Sequence, residues 1–235
     1  MRNRLGTGNS FLDSDAQRPP RSAALCANVG QILDAVEKAG IRDNTIVIFT
    51  SDNSAEFFQP WDGWAGPWRG AYFTALEGGL RVPFLIRWPG KIPAGRVSNE
   101  IVHGVDMFAT FAKIAGAKVP TDRPMDSLDQ SDFFLGKSDK SAREGFPIWG
   151  ANTLLAVKWR NWKLHLYRQD TMFDPPVKLG IPFIINLYTD PREEKPTADT
   201  WVLTPMLKIV GAFECTVRNH PLIPMGTPDP YIPPK

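Results

Sequence analysis

The stretch that most restricts the fold is residues 22–51. From Ser22 to Ala39 the apolar residues Leu25, Val29, Ile32, Leu33 and Val36 recur at helical spacing, while Asp34, Glu37 and Lys38 fall on the other face. Gly40 is a helix stop and "GIRDNT" makes a turn. Then Ile46-Val47-Ile48-Phe49-Thr50-Ser51 runs on with no polar alternation, as a strand buried on both faces would. An amphipathic helix joined by a short turn to such a strand is the unit of a sheet covered by helices, so the expected fold class is α/β. With 235 residues the chain is long enough to bury one domain of this kind and part of another.

Further along, "DNSAEFFQPWDGWAGPWRGAYFTALEGG" holds no period and reads as a long loop. Val82–Arg87 resumes as a strand closed by Pro89-Gly90, and Ile101–Ala115 reads as a second helix ending at Gly116. Residues 117–145 are polar and acidic, a connection over the surface. The character then changes. "NTLLAVKWRNWKLHLY" gives two short strands around a hairpin turn at Arg160-Asn161, "FIINLYTDPREE" another strand, and Thr200–Arg218 a helix before a Pro-rich tail. Residues 1–145 are therefore expected to form the α/β part, and 146–235 a smaller α+β subdomain of antiparallel strands with one helix. No internal repeat is present.

Composition excludes some roles. A formal net charge of +2, with basic residues scattered beside acids, argues against nucleic acid and against a membrane surface as partners. Cys26 and Cys215 stand too far apart for a disulfide framework or a zinc site, and each reads as a small buried hydrophobe. No apolar run has the length of a signal peptide core or a bilayer span. The polar, Pro-interrupted opening also fits a chain whose beginning is missing.

At the carboxyl end of the first strand stand an acid and an amide, Asp52-Asn53. Such a pair suits a turn, because both side chains bond the local backbone. It equally suits a hard cation, since ligands of open α/β sheets gather beyond the carboxyl ends of strands and calcium takes about six to eight oxygens. The two readings stay open on the residues alone.

Four segments together, "NTIVIFTSDN", "EGGLRVPFLIRWPGKIPAG", "SNEIVHGVDMFATFAKIAG" and "AVKWRNWKL…NLYTDPREE", resemble in order and spacing the carboxyl-terminal half of a sulfatase of the arylsulfatase type. The resemblance runs over most of residues 22–220. It implies a partial alkaline-phosphatase-like mixed sheet covered by helices, and hydrolysis of sulfate esters with a bound calcium ion. Asp52 and Asn53 would be metal ligands of a site whose remaining acids lie near the amino terminus of full-length members. The partner implied is a sulfate-ester small molecule or a sulfated glycan, together with an amino-terminal segment or chain, and full-length members are expected in the periplasm or secreted.

The chain departs from that pattern twice. The family's formylglycine nucleophile arises within C/S-x-P-x-R, and no such segment occurs in the 235 residues. No residue here is therefore assigned as catalytic. The sulfate-holding lysine of G-K-x-x-x-x-E-G-G is replaced by Tyr72, and the nearest cation is Arg69, three residues upstream. A guanidinium can grip two sulfate oxygens at once, so Arg69 is the substrate-binding candidate; anchoring its own loop through Glu56, Asp62 or Glu77 is the alternative. Trp61, Trp64, Trp68, Tyr72 and Phe73 form either a substrate wall or packing. Glu77-Gly78-Gly79 reads as a tight turn before a strand, glycine being free to take positive φ, and His103 as a packing histidine with Asp106 as partner or backbone cap. His165, within a strand, has no metal-ligand spacing around it. Two other functions remain: a phosphodiesterase or phosphonate hydrolase of the same superfamily, and a non-catalytic remnant or sulfated-glycan-binding module.

Overall fold

The computed structural model describes residues 21–56, 63–221 and 226–228. These divide into two compact units, one running up to Val47 together with Ile86–Lys91, the other Ile48–Leu85 together with Ile92 onward. The amino-terminal stretch, Trp61, Asp62 and most of the Pro-rich tail lie outside the described residues.

In the first unit, α1 spans Arg21–Lys38. Gly40, at φ +69°, ends it: the Gly40 N–H bonds the Glu37 carbonyl at 2.9 Å and the Ile41 N–H reaches back to Val36 at 3.3 Å. A left-handed residue closing the helix in this way is what glycine permits and a β-carbon penalises. The Trp88 indole N–H donates to the Asp43 carbonyl at 3.0 Å.

The strands β1 (Val47–Thr50) and β2 (Phe84–Arg87) pair as a two-stranded sheet. Their apolar pattern calls for cover on both faces. Among the described residues β1 is only half-buried and Leu85 of β2 is 61% exposed. The pattern is that of an interior strand; the cover supplied by the described residues is partial.

The second unit holds an antiparallel sheet in the order β3-β4-β5-β6, made of Gly145–Gly150, Thr153–Trp159, Trp162–Arg168 and Val177–Asn186. The expected hairpin is present: Trp159 pairs with Trp162 across Arg160-Asn161, with Arg160 at φ +53°. The strand β3 was not anticipated; it holds Pro147 between two terminal glycines, residue types that disfavour a central strand. Proline is tolerated on edges, and Pro147 and Pro182 lie on the two edge strands.

One face of this sheet packs on α5 (Leu203–Asn219), which follows a 3₁₀ turn at Thr200–Val202. Val157, Trp162, Leu164, Ile184, Val202 and Met206 form the core there. Cys215 lies nine residues past Met206, half a turn round a 3.6-residue helix, and is exposed, as is Cys26 of α1. The expectation that both cysteines are buried is corrected on that ground.

Two further elements, α2 (Glu77–Leu80) and α4 (Ser131–Phe134), are single helical turns. The second helix, α3, is shorter than expected, Asp106–Ile114. Its start is displaced because the Asp106 carboxylate accepts the His103 N–H at 3.0 Å, a side-chain bond that replaces the helical one. Asp106 is fully buried and also accepts from Leu128 N–H at 3.0 Å and from Arg143 Nη2 at 2.5 Å. Burial would raise its pKa, but the Arg143 hydrogen bond and the two backbone donors hold it below the usual range. His103 packs edge-on against Phe146, ring centroids 5.1 Å apart. It is a packing histidine with Asp106 as backbone cap.

Candidate functional site

The sheet face opposite α5 carries charge. β4 and β5 place Lys158 directly opposite Lys163. Like charges facing one another across a ladder are destabilising, so an acid is required between them. Glu77 of α2 supplies it: Oε2 accepts from Lys158 Nζ at 2.5 Å and from Arg81 Nε at 2.6 Å, and Oε1 from Lys163 Nζ at 3.3 Å. Glu77 and Lys163 have no solvent-exposed surface.

A second acid completes the set. Glu193 Oε2 lies 3.1 Å from Lys163 Nζ and 2.6 Å from His165 Nε2, and its Oε1 accepts the Glu77 N–H at 2.5 Å. Its own carbonyl takes a 3.4 Å bond from Arg69 Nη1. Glu193 thus holds three other residues of the site through its side chain and a fourth through its backbone, while sitting at φ +56°. A buried non-glycine residue in that region persists only where its surroundings over-determine it.

The electrostatics follow from burial and charge in opposition. Burial pushes the Glu77 carboxyl up, yet the charges of Lys163, Lys158 and Arg81 overcome it and hold the group at about 2. Burial pushes Lys158 down to about 8 despite the facing Glu77. Burial likewise lowers His165 below the usual imidazole range, against the pull of Glu193. The imidazole is neutral, and since a carboxylate only accepts, Nε2 carries the proton. Glu193 stays ionised because the Lys163 charge and the His165 bond outweigh its burial.

Gly78 and Gly79 are needed here for space and not for positive φ, which neither adopts. A β-carbon on Gly78 would stand 2.3 Å from the Gly70 carbonyl oxygen, and one on Gly79 2.5 Å from that of Ala71. The tight turn expected before the strand is a single helical turn pressed against the 69–74 loop.

Arg69 reaches the carboxyl-terminal sheet. It pairs with Asp170, whose other oxygen accepts from Arg168 Nε at 2.9 Å. Glu56 and Glu77, two of its expected anchors, do not hold it; Asp62 lies outside the described residues. Arg69, Arg168 and Asp170 line a cleft of about 370 Å³ together with His165, Phe183 and Glu193. Of the aromatic group, Trp61 lies outside the described residues, and the others have separate surroundings. Trp68 lies under Arg81, 3.8 Å from ring centroid to guanidinium carbon; Trp64 is 88% exposed; Tyr72 packs tilted by 36° against Phe73, itself at φ +65°.

The Asp52 carboxylate is exposed at the end of β1, accepting the Asn53 N–H at 2.9 Å and Asn53 Nδ2 at 3.3 Å. The next residues fasten this corner to the 70–79 segment: Ser54 Oγ donates to the Gly79 carbonyl at 3.0 Å, and the Tyr72 N–H to Ala55 at 3.0 Å. A carboxylate and an amide are the donor types calcium takes, but two are too few. Among the described residues no group of three or more His, Cys, Asp or Glu side chains gathers as a metal site. No described helix is long and apolar enough to cross a membrane.

Sequence reasoning missed Lys158, Lys163 and Glu193. The two lysines had a signal: a two-residue turn at Arg160-Asn161 sets positions 158 and 163 opposite one another. Glu193 had none, because its contacts lie between 28 and 124 residues away along the chain.

Comparison with known proteins gives this arrangement its context. A family model described as Sulfatase matches residues 27–117. The N-acetylgalactosamine-6-sulfatase of Canis lupus familiaris is 33% identical over 239 residues, covering 92% of this chain and 44% of that protein. The steryl-sulfatase of Rattus norvegicus is 34% identical over 198 residues, 72% of this chain and 34% of the relative. Among solved structures, the PsFucS1 sulfatase from Pseudoalteromonas sp. superposes with a TM-score of 0.77 at 29% identity, over 84% of this chain and 42% of that one. The chain spans less than half the length of these relatives. On the family match, the relatives and the shared mixed α/β architecture, it belongs to the sulfatases, of the alkaline-phosphatase-like fold.

Proposed function

We propose that this chain supplies the carboxyl-terminal share of a sulfate-ester hydrolase acting on a sulfated small molecule or glycan. The observation that carries the reading is the ordered run of family segments on a fold that superposes on a sulfatase. A solved structure similar at 25% identity, described as Ps i-CgsB in complex with k-i-k-neocarrahexaose, holds a carbohydrate and supports the glycan as a substrate class.

Roles follow from chemistry. Arg69 grips sulfate oxygens in place of the lysine that Tyr72 displaces, its guanidinium offering two parallel donors. Asp52 and Asn53 contribute two oxygens toward a calcium ion, which when bound would polarise a sulfate group. Glu77, Lys158, Lys163 and Glu193 keep the Arg69 loop in place. The 235 residues hold no C/S-x-P-x-R, so we infer that turnover requires a polypeptide carrying one.

The test is a polypeptide in which this chain follows an amino-terminal sulfatase segment bearing C/S-x-P-x-R. It is assayed on 4-nitrophenyl sulfate and on bis(4-nitrophenyl) phosphate. Faster cleavage of the sulfate ester, with calcium affinity lowered by Asp52→Ala, is the expected result. Preference for the phosphate diester would assign the superfamily's other chemistry. A folded protein that cleaves neither would overturn the reading, and calcium affinity unmoved by Asp52→Ala would remove the metal assignment.

A further inference from the structure

The cleft beside Arg69 contains a third acid, which unlike the other two is partly open to solvent. Glu77 and Glu193 are buried and each answers a buried cation. Asp170 differs. Its side chain is 39% exposed, between β5 and β6, and its two oxygens separately engage Arg69 and Arg168. The Arg168 hydrogen bond, with the Arg69 charge behind it, holds its carboxyl below the usual range.

The connected ion pairs give the local balance. Five cations (Arg69, Arg81, Lys158, Lys163 and Arg168) face three carboxylates (Glu77, Asp170 and Glu193), a surplus of two positive charges. His165 is neutral, and Glu194 at the rim is paired with Arg192 at 2.9 Å. A concave site with surplus positive charge focuses anions, and two guanidiniums spaced to hold one carboxylate present forked donors to a tetrahedral oxyanion.

We propose that Arg69 and Arg168 form a clamp for a sulfate group, and that Asp170 occupies it as an internal counter-ion which the incoming anion displaces. The clamp deepens the role given to Arg69 above and rests on that reading for the identity of the anion. Arg168 becomes its second jaw, and Asp170 sets how strongly an anion must bind to enter. With Asp170 seated, an incoming sulfate meets a like charge; with Asp170 swung into solvent, both guanidiniums are open.

The experiment titrates inorganic sulfate, and in a parallel arm inorganic phosphate, into the full chain at neutral pH and low chloride. Binding is read by calorimetry. Asp170→Asn keeps the shape and removes the charge, and is expected to tighten sulfate by about tenfold or more, the scale of one charge-assisted hydrogen bond. Arg168→Gln or Arg69→Gln in the Asp170→Asn background is expected to abolish the gain. Asp170→Ser is a second variant, and near-UV circular dichroism confirms folding for each. Unchanged or weaker sulfate affinity in both Asp170 variants overturns the clamp, as does loss of folding in both, which would make Asp170 a structural residue. The two readings fail separately. A clamp that opens in Asp170→Asn but prefers phosphate stands as an anion site and counts against sulfate as its ligand. Absence of any gain leaves the turnover assay above as the judge of the hydrolase reading.

Discussion

Replacing Glu77 by Gln is the sharpest perturbation of the buried network. The substitution keeps the shape and removes the charge between Lys158 and Lys163. The Glu77 carboxyl is held at about 2, against 4.5 for a free one, which corresponds to about 3 kcal/mol of stabilisation at neutral pH. Loss of one partner also strands the other, so the expected total is about 3–5 kcal/mol. For a chain of this length that is a fall in Tm of roughly 10 °C or somewhat more.

The sign of the pH dependence is fixed. The native pKa of Glu77 lies below the unfolded value, so its stabilisation is complete above about pH 4.5 and is lost as pH falls through about 2. Glu77→Gln should therefore flatten the acid limb. Lys158 is also lowered, to about 8 from 10.5, but for a base this means the unfolded chain binds the extra proton. Stability from this group rises between about pH 8 and 10.5, and its charge is a cost of about 3 kcal/mol at neutral pH. Lys158→Met should accordingly cost little alone, and it should partly restore Glu77→Gln by removing the stranded cation. Urea denaturation of the full chain, followed by circular dichroism, reads all three variants. A cost below about 1 kcal/mol for Glu77→Gln, or further loss on adding Lys158→Met, would refute the reasoning.

Three other outcomes follow from local geometry. Gly78→Ala places a β-carbon 2.3 Å from one backbone carbonyl oxygen and 2.6 Å from another, neither able to rotate away, and should cost about 1–3 kcal/mol in thermal denaturation; Gly30→Ala in α1, with nothing within 4 Å, should instead stabilise by about 0.5–1 kcal/mol. Asp106→Asn keeps one oxygen where the carboxylate has two, so it cannot serve Arg143, Leu128 and His103 together, and a loss of about 3 kcal/mol is expected by the same measurement.

What the sequence disclosed and what it hid divide by contact range. The α1 stop at Gly40, the Arg160-Asn161 hairpin and the α5 helix rest on periodicity and turn chemistry within a few residues, and all were legible. The strand β3 was hidden because its proline is a breaker in a central strand but not at an edge, and edge position is a property of the assembled sheet. The start of α3 was placed five residues early because apolar spacing continues through Ile101, while the Asp106 carboxylate decides the boundary. Arg69 was legible as a lone cation in a loop. Its partner Asp170 lies 101 residues on, and nothing near either residue announces the other.

The buried network also shows why stability and positioning should be argued apart. The Glu77 and Lys158 shifts carry opposite consequences of similar size, so the pair contributes little net stability when intact. An apolar replacement of similar volume would hold the sheet together as well. What it would not do is fix where α2 sits, because apolar contacts tolerate sliding and charged hydrogen bonds do not. Glu77 can meet Lys158, Lys163 and Arg81 at once in one place only, and the Glu193 carboxylate bonds the Glu77 N–H from the same side. Through its carbonyl, Glu193 extends that registration to Arg69. The strained backbone of Glu193 is thus offset by a set of bonds whose collective result is a guanidinium held at the mouth of a cleft. A single residue beyond the last strand of the four-stranded sheet thereby fixes the position of the Arg69 loop.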